Sequence, residues 1–428
     1  MAPSVLSAGV SDRPARAYVR RGMTDQTPPQ VGAPIGFAEF VSLVAALLAL
    51  GALGIDAMLP ALPAIGRALD VTDPNARQFV ISAFLGGFGV AQLFHGPLAD
   101  RFGRRRVLLW SMGIYVGANV LSAVSGSFAL LIASRVLGGL AIAATRVATV
   151  AMVRDCYHGP AMARVMSIAF MVFMLVPIVA PALGEAVLLV AGWREIFWVI
   201  AALSAGLFGW FWLRMPETLG VEHRLALSAP RIVAGWRETA GDRLSLGYTL
   251  AAAALMGALY GYLNSVQQIM ADTFGRPELL AGVFAGTAAT MAVANLFNAR
   301  LVMRLGTRLI SHGAVIGLVG FAGLHLLLVE LGRETLWSFV ILQALTMACF
   351  GLSTSNFSAM AMQNMGRIAG TASSVQGFAS VTIGAGIGAV IGQAFDGTTA
   401  PMSIGFMAAG LAALGFVAWT ERGRLFGR

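Results

Sequence analysis

Twelve long apolar runs, separated by short polar or arginine-bearing breaks, dominate the sequence. Each run is about as long as the roughly 20 residues that a helix needs to cross a bilayer. The alternation of apolar and polar residues that marks a membrane barrel is absent. We therefore predict an all-α integral membrane protein with twelve transmembrane helices. The runs fall at about residues 37–63, 78–99, 106–126, 128–153, 163–190, 196–215, 244–270, 279–303, 309–330, 335–363, 368–394 and 401–420.

Composition agrees with placement in a membrane and excludes several classes of protein. Hydrophobic residues make up 57 % of the chain and charged residues only 11 %, whereas about a quarter of a soluble domain is charged. An ordinary soluble enzyme, a disordered protein and a single-anchor receptor are thereby excluded. The first 36 residues are polar and lack the apolar stretch of a cleavable signal peptide. Met23 is a candidate alternative to Met1 as the translation start.

A polar stretch divides the runs into two groups of six, and the two groups repeat. Arg101, Gly103 and Arg105 recur with a constant offset of 203 residues as Arg304, Gly306 and Arg308. Two repeated six-helix bundles around a central path are typical of secondary transporters. We predict two pseudo-symmetric bundles, with domain bounds as follows: a tail at 1–36, a first bundle at 37–215, a loop at 216–243, a second bundle at 244–421 and a tail at 422–428.

The placement of arginine predicts the orientation of the chain. All 29 basic residues are arginine; 22 of them fall on the side of the N-terminus, five on the opposite side, and two, Arg135 and Arg146, within the fourth helix. Because cytoplasmic loops carry the excess of basic residues, we expect both termini and the loop at 216–243 to lie in the cytoplasm. The net charge of +9 is then explained by topology, and no nucleic-acid partner is expected.

The strongest motif runs from Gly96 to Arg106 and reads GPLADRFGRRR. Its spaced glycines permit a tight turn, and its aspartate can meet an arginine or the N-terminal end of a helix. The segment resembles the signature of the major facilitator superfamily in the loop between helices 2 and 3, which implies a latch between the halves; the alternative is a simple topology loop. Met303 replaces the aspartate in the second copy, so that copy is not expected to be an acid latch. The predicted latch residues are Gly96, Asp100, Arg101, Gly103, Arg104 and Arg105.

Three further segments resemble bacterial drug:proton antiporters of the Bcr/CflA type. They are GIDAMLPALPAI at 54–65, MVRDCY at 152–157, and VPIVAPALG at 176–184 followed by GWR at 192–194. The resemblance implies the major facilitator fold, proton-coupled efflux, amphipathic small-molecule substrates and a bacterial inner membrane. It also implies that no cofactor is needed, since the proton gradient supplies the energy.

Two charged residues are predicted to lie deep in the membrane, where an ionisable group costs at least a few kcal/mol. Asp56 lies 19 residues into helix 1, and Arg135 lies seven residues into helix 4, which runs the opposite way. Their depths are therefore comparable, and they are able to pair. We interpret Asp56 as the proton acceptor or a cation contact, tuned by Arg135; the alternatives are a structural charge clamp and an exposed helix end. Arg135 matches an antiporter arginine, although Gly138 stands where many relatives carry glutamine.

Other candidates are less specific. Glu185 is either a second proton site or an interfacial residue, and Arg146 either contacts substrate or extends toward the cytoplasm. Arg135, Gly139, Ile142 and Arg146 share one helix face and predict a single path along helix 4. Because the second half has no deep charge, it is expected to supply neutral substrate contacts. The predicted neutral pathway residues are Asn119, Asn264, Gln267 and Gln268, and the predicted hinge of helix 5 comprises Pro177, Pro181 and Gly184.

These features together predict a proton-coupled exporter of small amphipathic molecules such as drugs, working by alternating access. An exporter of a sugar, an amino acid or another metabolite in the same fold is the alternative. No nucleophile, metal-ligand or phosphate-loop motif supports an enzyme, and no soluble domain supports a sensor. The expected partners are the substrate, protons and the lipid bilayer. A monomer is expected to be functional.

Overall fold

The computed structural model describes residues 32–224 and 227–426, except the side chains of His223, Arg231 and Arg367. The described residues form helices and no strand. The segment holding Met1 and Met23 lies outside the described residues. The α-helices are α1 Phe37–Asp56, α2 Leu62–Ala68, α3 Phe79–Phe102, α4 Arg104–Ala123, α5 Phe128–Cys156, α6 Gly159–Phe173, α7 Val176–Val190, α8 Trp193–Arg214, α9 Ala229–Gly241, α10 Arg243–Gln268, α11 Leu280–Leu305, α12 Thr307–Glu330, α13 Leu336–Ala361, α14 Ala369–Gln393 and α15 Ala400–Thr420.

The predicted membrane fold is confirmed. Within the described residues, 11 helical segments are long and apolar enough to cross a bilayer. The remaining predicted span is α4, which has 20 residues but begins with three consecutive arginines that lower its hydropathy. Span 1 is α1 together with α2, over Phe37–Ala68, and span 5 is α6 together with α7, over Gly159–Val190. The helix α9 lies inside the predicted central loop and contacts α14 and α10.

The two groups of helices meet along two seams. One seam joins α3 to α14, and the other joins α11 to α7. Glycines allow close approach within the second group: a Cβ added at Gly384 or Gly388 would lie within about 3 Å of Met256 or Tyr260 on α10. Gly384 and Gly388 therefore form a packing surface of α14 against α10.

The ends of the bundle differ in charge, and we name them accordingly. The arginine-rich end holds Arg104 at the start of α4 and Arg154 near the end of α5. The arginine-poor end holds Arg77 before α3 and Arg276 before α11.

Candidate functional site

Span 1 is broken immediately after Asp56. The helix α1 ends there, a 3-10 turn follows at Leu59–Ala61, and α2 begins at Leu62. Pro60 has no N–H group, so the carbonyl of Asp56, four residues earlier, has no helical donor. The amide of Met58 bonds to the Ile55 carbonyl instead of the Gly54 carbonyl. The break therefore leaves polar backbone groups beside the carboxyl group.

Asp56 is a buried acid without a partner. Its exposed fraction is 5 %, and within the described part of the chain it forms no hydrogen bond or ion pair. It occupies the last turn of α1, where the helix dipole is negative and gives no compensation for a carboxylate. The Tyr260 side chain on α10 is close enough to interact electrostatically with the Asp56 carboxyl group. Asp56 thus faces the junction between the two groups of helices.

Arg135 ties span 4 to spans 1 and 2 and is not paired with Asp56. Its guanidinium donates to the carbonyl oxygen of Gly54 at 2.7 Å and to that of Val80 at 3.1 Å. The Gly54 carbonyl is one of those left without a helical donor near the end of α1. The ring of Phe84 lies 4.4 Å from the guanidinium carbon. The pairing of Asp56 with Arg135 that comparable depth permits is not observed; the guanidinium bonds to the two backbone carbonyls instead.

Arg146 lies on the inner face of α5. Leu137, nine residues earlier, is exposed and points in the opposite direction at 100° per residue. Arg146 is nevertheless exposed and lies within charge range of Tyr260. Between Arg135 and Arg146, Ile142 is buried and a Cβ at Gly139 would overlap the α3 backbone. A continuous path along α5 therefore stays a prediction.

Span 5 is interrupted where the sequence predicts a hinge. Pro177 removes a donor for the carbonyl of Phe173, and α6 ends at that residue while α7 begins at Val176. Pro181 lies inside α7. A Cβ at Gly184 would overlap the carbonyl oxygen of Ala57. The break of span 1 and the proline-containing half of span 5 are therefore packed against each other; hinge motion stays a prediction.

Glu185 connects the two groups of helices at the arginine-poor end. Its carboxylate accepts a hydrogen bond of 3.3 Å from the amide of Ala281, in the first turn of α11. An acid is favoured at this position because the N-terminal end of a helix carries partial positive charge. A role for Glu185 in proton transfer stays a prediction.

A cluster of side-chain amides also joins the first and second groups of helices at the arginine-poor end. Asn75 donates to the carbonyls of Gln393 and Phe395 at 3.1 and 2.9 Å, and its side-chain oxygen accepts from Gln268 at 2.8 Å. Gln78 donates to Gln268 at 2.5 Å. We call Asn75, Gln78, Gln268 and Gln393 the amide cluster.

The predicted neutral pathway residues occupy varied places. Gln268 belongs to the amide cluster, and Asn264 donates to Ser82 at 3.2 Å. Gln267 is buried and its side-chain oxygen has no described partner. Asn119 donates to the Tyr115 carbonyl within α4. In this arrangement two of the four residues bind the facing group of helices, and substrate contact stays a prediction for all four.

The motif at Gly96–Arg106 is held within the first group of helices. Gly103, with φ of +97°, separates α3 from α4, a conformation that glycine adopts without strain. Asp100 pairs with Arg104 at 2.5 Å, and Arg104 also reaches Asp155 at 3.2 Å. Glu217 accepts from the amide of Arg104 at 2.8 Å. A latch to the second group therefore stays a prediction.

The remaining motif residues have separate environments. Arg105 donates to the carbonyls of Met215 and Trp212. Arg101 is exposed, whereas a Cβ at Gly96 would come 3.2 Å from the Ser374 hydroxyl on α14. Gly96 is thus the motif residue that approaches the second group.

The second copy of the motif also binds an acid, which comes from another element. Gly306, with φ of +83°, separates α11 from α12. Arg308 donates to Glu421 at 2.7 Å, and the Tyr248 hydroxyl donates to the same oxygen at 2.6 Å. Burial raises the pKa of Glu421, but these hydrogen bonds outweigh it and the net pKa is lowered. Glu217 and Glu421 each follow the last helix of their half, but Glu217 accepts from backbone amides of the first copy, whereas Glu421 accepts from the Arg308 side chain of the second.

These features define a class: a multi-pass helical membrane protein with two repeated halves that meet around buried charged and amide side chains. The model of the Major Facilitator Superfamily matches residues 43–389. The chain belongs to this superfamily, a family of membrane transporters.

Curated relatives resemble most of the chain. A bicyclomycin resistance protein homolog of Haemophilus influenzae is 29 % identical over 369 residues, which are 85 % of this chain and 91 % of the relative. A chloramphenicol resistance protein of Pseudomonas aeruginosa is 32 % identical over 274 residues, 63 % of this chain and 62 % of the relative. These matches agree with the resemblance to Bcr/CflA-type antiporters.

A solved structure shares the fold at low identity. The crystal structure of the peptide transporter POT in complex with sulfate is 15 % identical, has a TM-score of 0.74, and matches 92 % of this chain and 98 % of its own. This likeness shows the arrangement of helices and nothing about the substrate.

Proposed function

We propose that this protein is a proton-coupled exporter of small amphipathic molecules that works by alternating access. The observation that carries the proposal is Asp56: a buried, unpartnered carboxyl group at the break of span 1, facing the second group of helices at Tyr260. A carboxyl group is the residue type that suits proton exchange in this chain, since all its basic residues are arginines, which stay charged in proteins.

Proton binding is coupled to transport if the environment of Asp56 differs between two arrangements of the two groups of helices. The break of span 1 packs on α7 at Gly184, and α7 contacts α11 of the second group. Movement of the second group relative to the first is thereby transmitted to the backbone beside Asp56. A carboxyl group whose solvation changes in this way binds a proton on one side and releases it on the other. Arg135 holds the end of α1 and serves as the positioning residue.

The substrate class rests on the relatives. One is named for resistance to bicyclomycin and another for resistance to chloramphenicol, both small molecules. We propose drugs of this kind as substrates of an exporter that needs no cofactor and acts as a monomer. The arginine-rich end is proposed to face the cytoplasm of a bacterial inner membrane.

The test uses purified protein in sealed vesicles that contain a pH-sensitive dye. With an imposed pH gradient, chloramphenicol is expected to collapse the gradient through the unsubstituted protein and not through Asp56→Asn. The matched control is Asp272→Asn, the same change at an exposed residue, which is expected to retain coupling. Chloramphenicol-dependent proton flux that persists in Asp56→Asn would reject the assignment of Asp56. A sugar and amino-acid panel in the same assay tests a metabolite exporter.

A further inference from the structure

Arg146 is a second charged group at the junction of the halves, and nothing described neutralises it. Its side chain lies on the inner face of α5, is exposed, and forms no ion pair or hydrogen bond with the described residues. Arg135, on the same face of α5, has two of its donors bonded to backbone carbonyl groups. An arginine within a membrane span that lacks such partners indicates a functional contact.

Arg146 and Asp56 lie at different depths along their helices. Arg146 lies ten residues before the end of α5, about 15 Å from the arginine-rich end, and Asp56 lies about 28 Å from that end along α1. Tyr260, about 26 Å along α10, is within charge range of both. The positive and negative groups are thus separated by about 13 Å along the helices, which is comparable with the length of a small amphipathic molecule.

This arrangement favours one polarity of ligand. A guanidinium group offers several N–H donors and no acceptor, so it binds carboxylate, sulfonate, nitro or carbonyl oxygens. Arg146 lies nearer the arginine-rich end than Asp56 does, so an anionic group that enters the membrane region from that end meets Arg146 before Asp56. A lipophilic cation would be repelled by Arg146 before it reached Asp56.

We propose that Arg146 selects substrates that carry an anionic or strongly polar oxygen group at one end of an apolar body. The inference rests on the proposed function, because it assigns the substrate class of the same site. Arg146 contacts the oxygen group, Tyr260 lies along the body of the ligand, and Asp56 remains available for proton exchange. Molecules whose polar end is a quaternary ammonium group are poor ligands.

The test is equilibrium binding to purified protein in nanodiscs, without any pH gradient. The probes are 2-naphthoate and (naphthalen-2-ylmethyl)trimethylammonium, which share an aromatic body and differ in charge. The unsubstituted protein is expected to bind 2-naphthoate more tightly. Arg146→Ala should weaken 2-naphthoate binding by about tenfold or more, the loss expected for a charge-assisted hydrogen bond. Binding of the ammonium probe should be unchanged or tighter.

Matched variants separate recognition from folding. Arg146→Lys keeps the positive charge and is expected to retain much of the preference for 2-naphthoate, whereas Arg146→Gln should lose it. Arg106→Ala removes an exposed arginine at the start of α4 and should leave both affinities unchanged. Equal loss of both probes in Arg146→Ala, an unchanged affinity ratio, or a preference of the unsubstituted protein for the ammonium probe would overturn the inference.

The design keeps this inference separable from the proposed function. Charge-selective binding that depends on Arg146, without proton-coupled flux in vesicles, would support the recognition site and reject the exporter. Proton-coupled flux with an affinity ratio that does not depend on Arg146 would reject the recognition site alone.

Discussion

Replacing Asn75 with alanine should open the arginine-poor end of the protein. Asn75 lies in the 3-10 turn before α3. Its side chain makes three hydrogen bonds to the second group of helices: it donates to the carbonyls of Gln393 and Phe395 and accepts from the side-chain amide of Gln268. At a net value of about 1 kcal/mol each, the three contribute about 3 kcal/mol to this arrangement. Their loss shifts the equilibrium between closed and open arrangements by roughly 100-fold.

The assay is a distance measurement between spin labels across this end. Labels at Thr72→Cys and Asp272→Cys, both exposed positions, are introduced after Cys156 and Cys349 are replaced by serine. Asn75→Ala should increase the population at long distance. Asn364→Ala serves as the control, because its amide bonds to Asp242 immediately before α10 and its loss should not change the distribution. A distribution for Asn75→Ala that matches the control would refute the role of the amide cluster.

Three further variants test other contacts. Gly184→Ala should reduce transport and lower stability by about 1–3 kcal/mol, because the added Cβ overlaps the Ala57 carbonyl; transport and thermal unfolding in detergent measure both, and unchanged values would contradict the packing. Arg135→Lys should lower the unfolding temperature, because one ammonium group cannot reproduce the guanidinium contacts with two carbonyls; an equal unfolding temperature would argue against this anchoring. Because the pKa of Glu421 is lowered from 4.5, its contribution to stability is present above pH 4.5 and is lost as the pH falls through the lowered value. Glu421→Gln should therefore remove part of the acid sensitivity seen in a pH series of unfolding temperatures, and an unaltered pH profile would exclude this contribution.

The spans could be predicted from the sequence because crossing a bilayer demands long apolar helices. Even α4, whose initial arginines lower its hydropathy, can be predicted as a span, since its apolar run extends beyond those arginines. The burial of Asp56 and Arg135 could also be predicted, because a charged residue within a membrane-spanning run avoids lipid by facing the interior of the bundle. Their partners could not, since the Gly54 and Val80 carbonyls that bind Arg135 are backbone groups with no residue-specific signal.

Neutral amides were the least predictable part of the site. Asn75 and Gln393 resemble ordinary loop and helix-end residues in the sequence, and only the packing of α3 on α14 brings them together. Glu217 and Glu421 were missed for a related reason: each lies more than 100 residues from the arginine motif that it binds. The shared position of both acids after the last helix of a half is a signal that the internal repeat could have revealed.

The most direct test of the central claim is proton release on ligand binding, measured with a pH indicator in weakly buffered detergent solution. Chloramphenicol added to the purified protein should displace protons from the unsubstituted protein and from Asp272→Asn, and displace none from Asp56→Asn. Equal proton release from Asp56→Asn and the unsubstituted protein would contradict the claim that Asp56 exchanges the proton for the substrate.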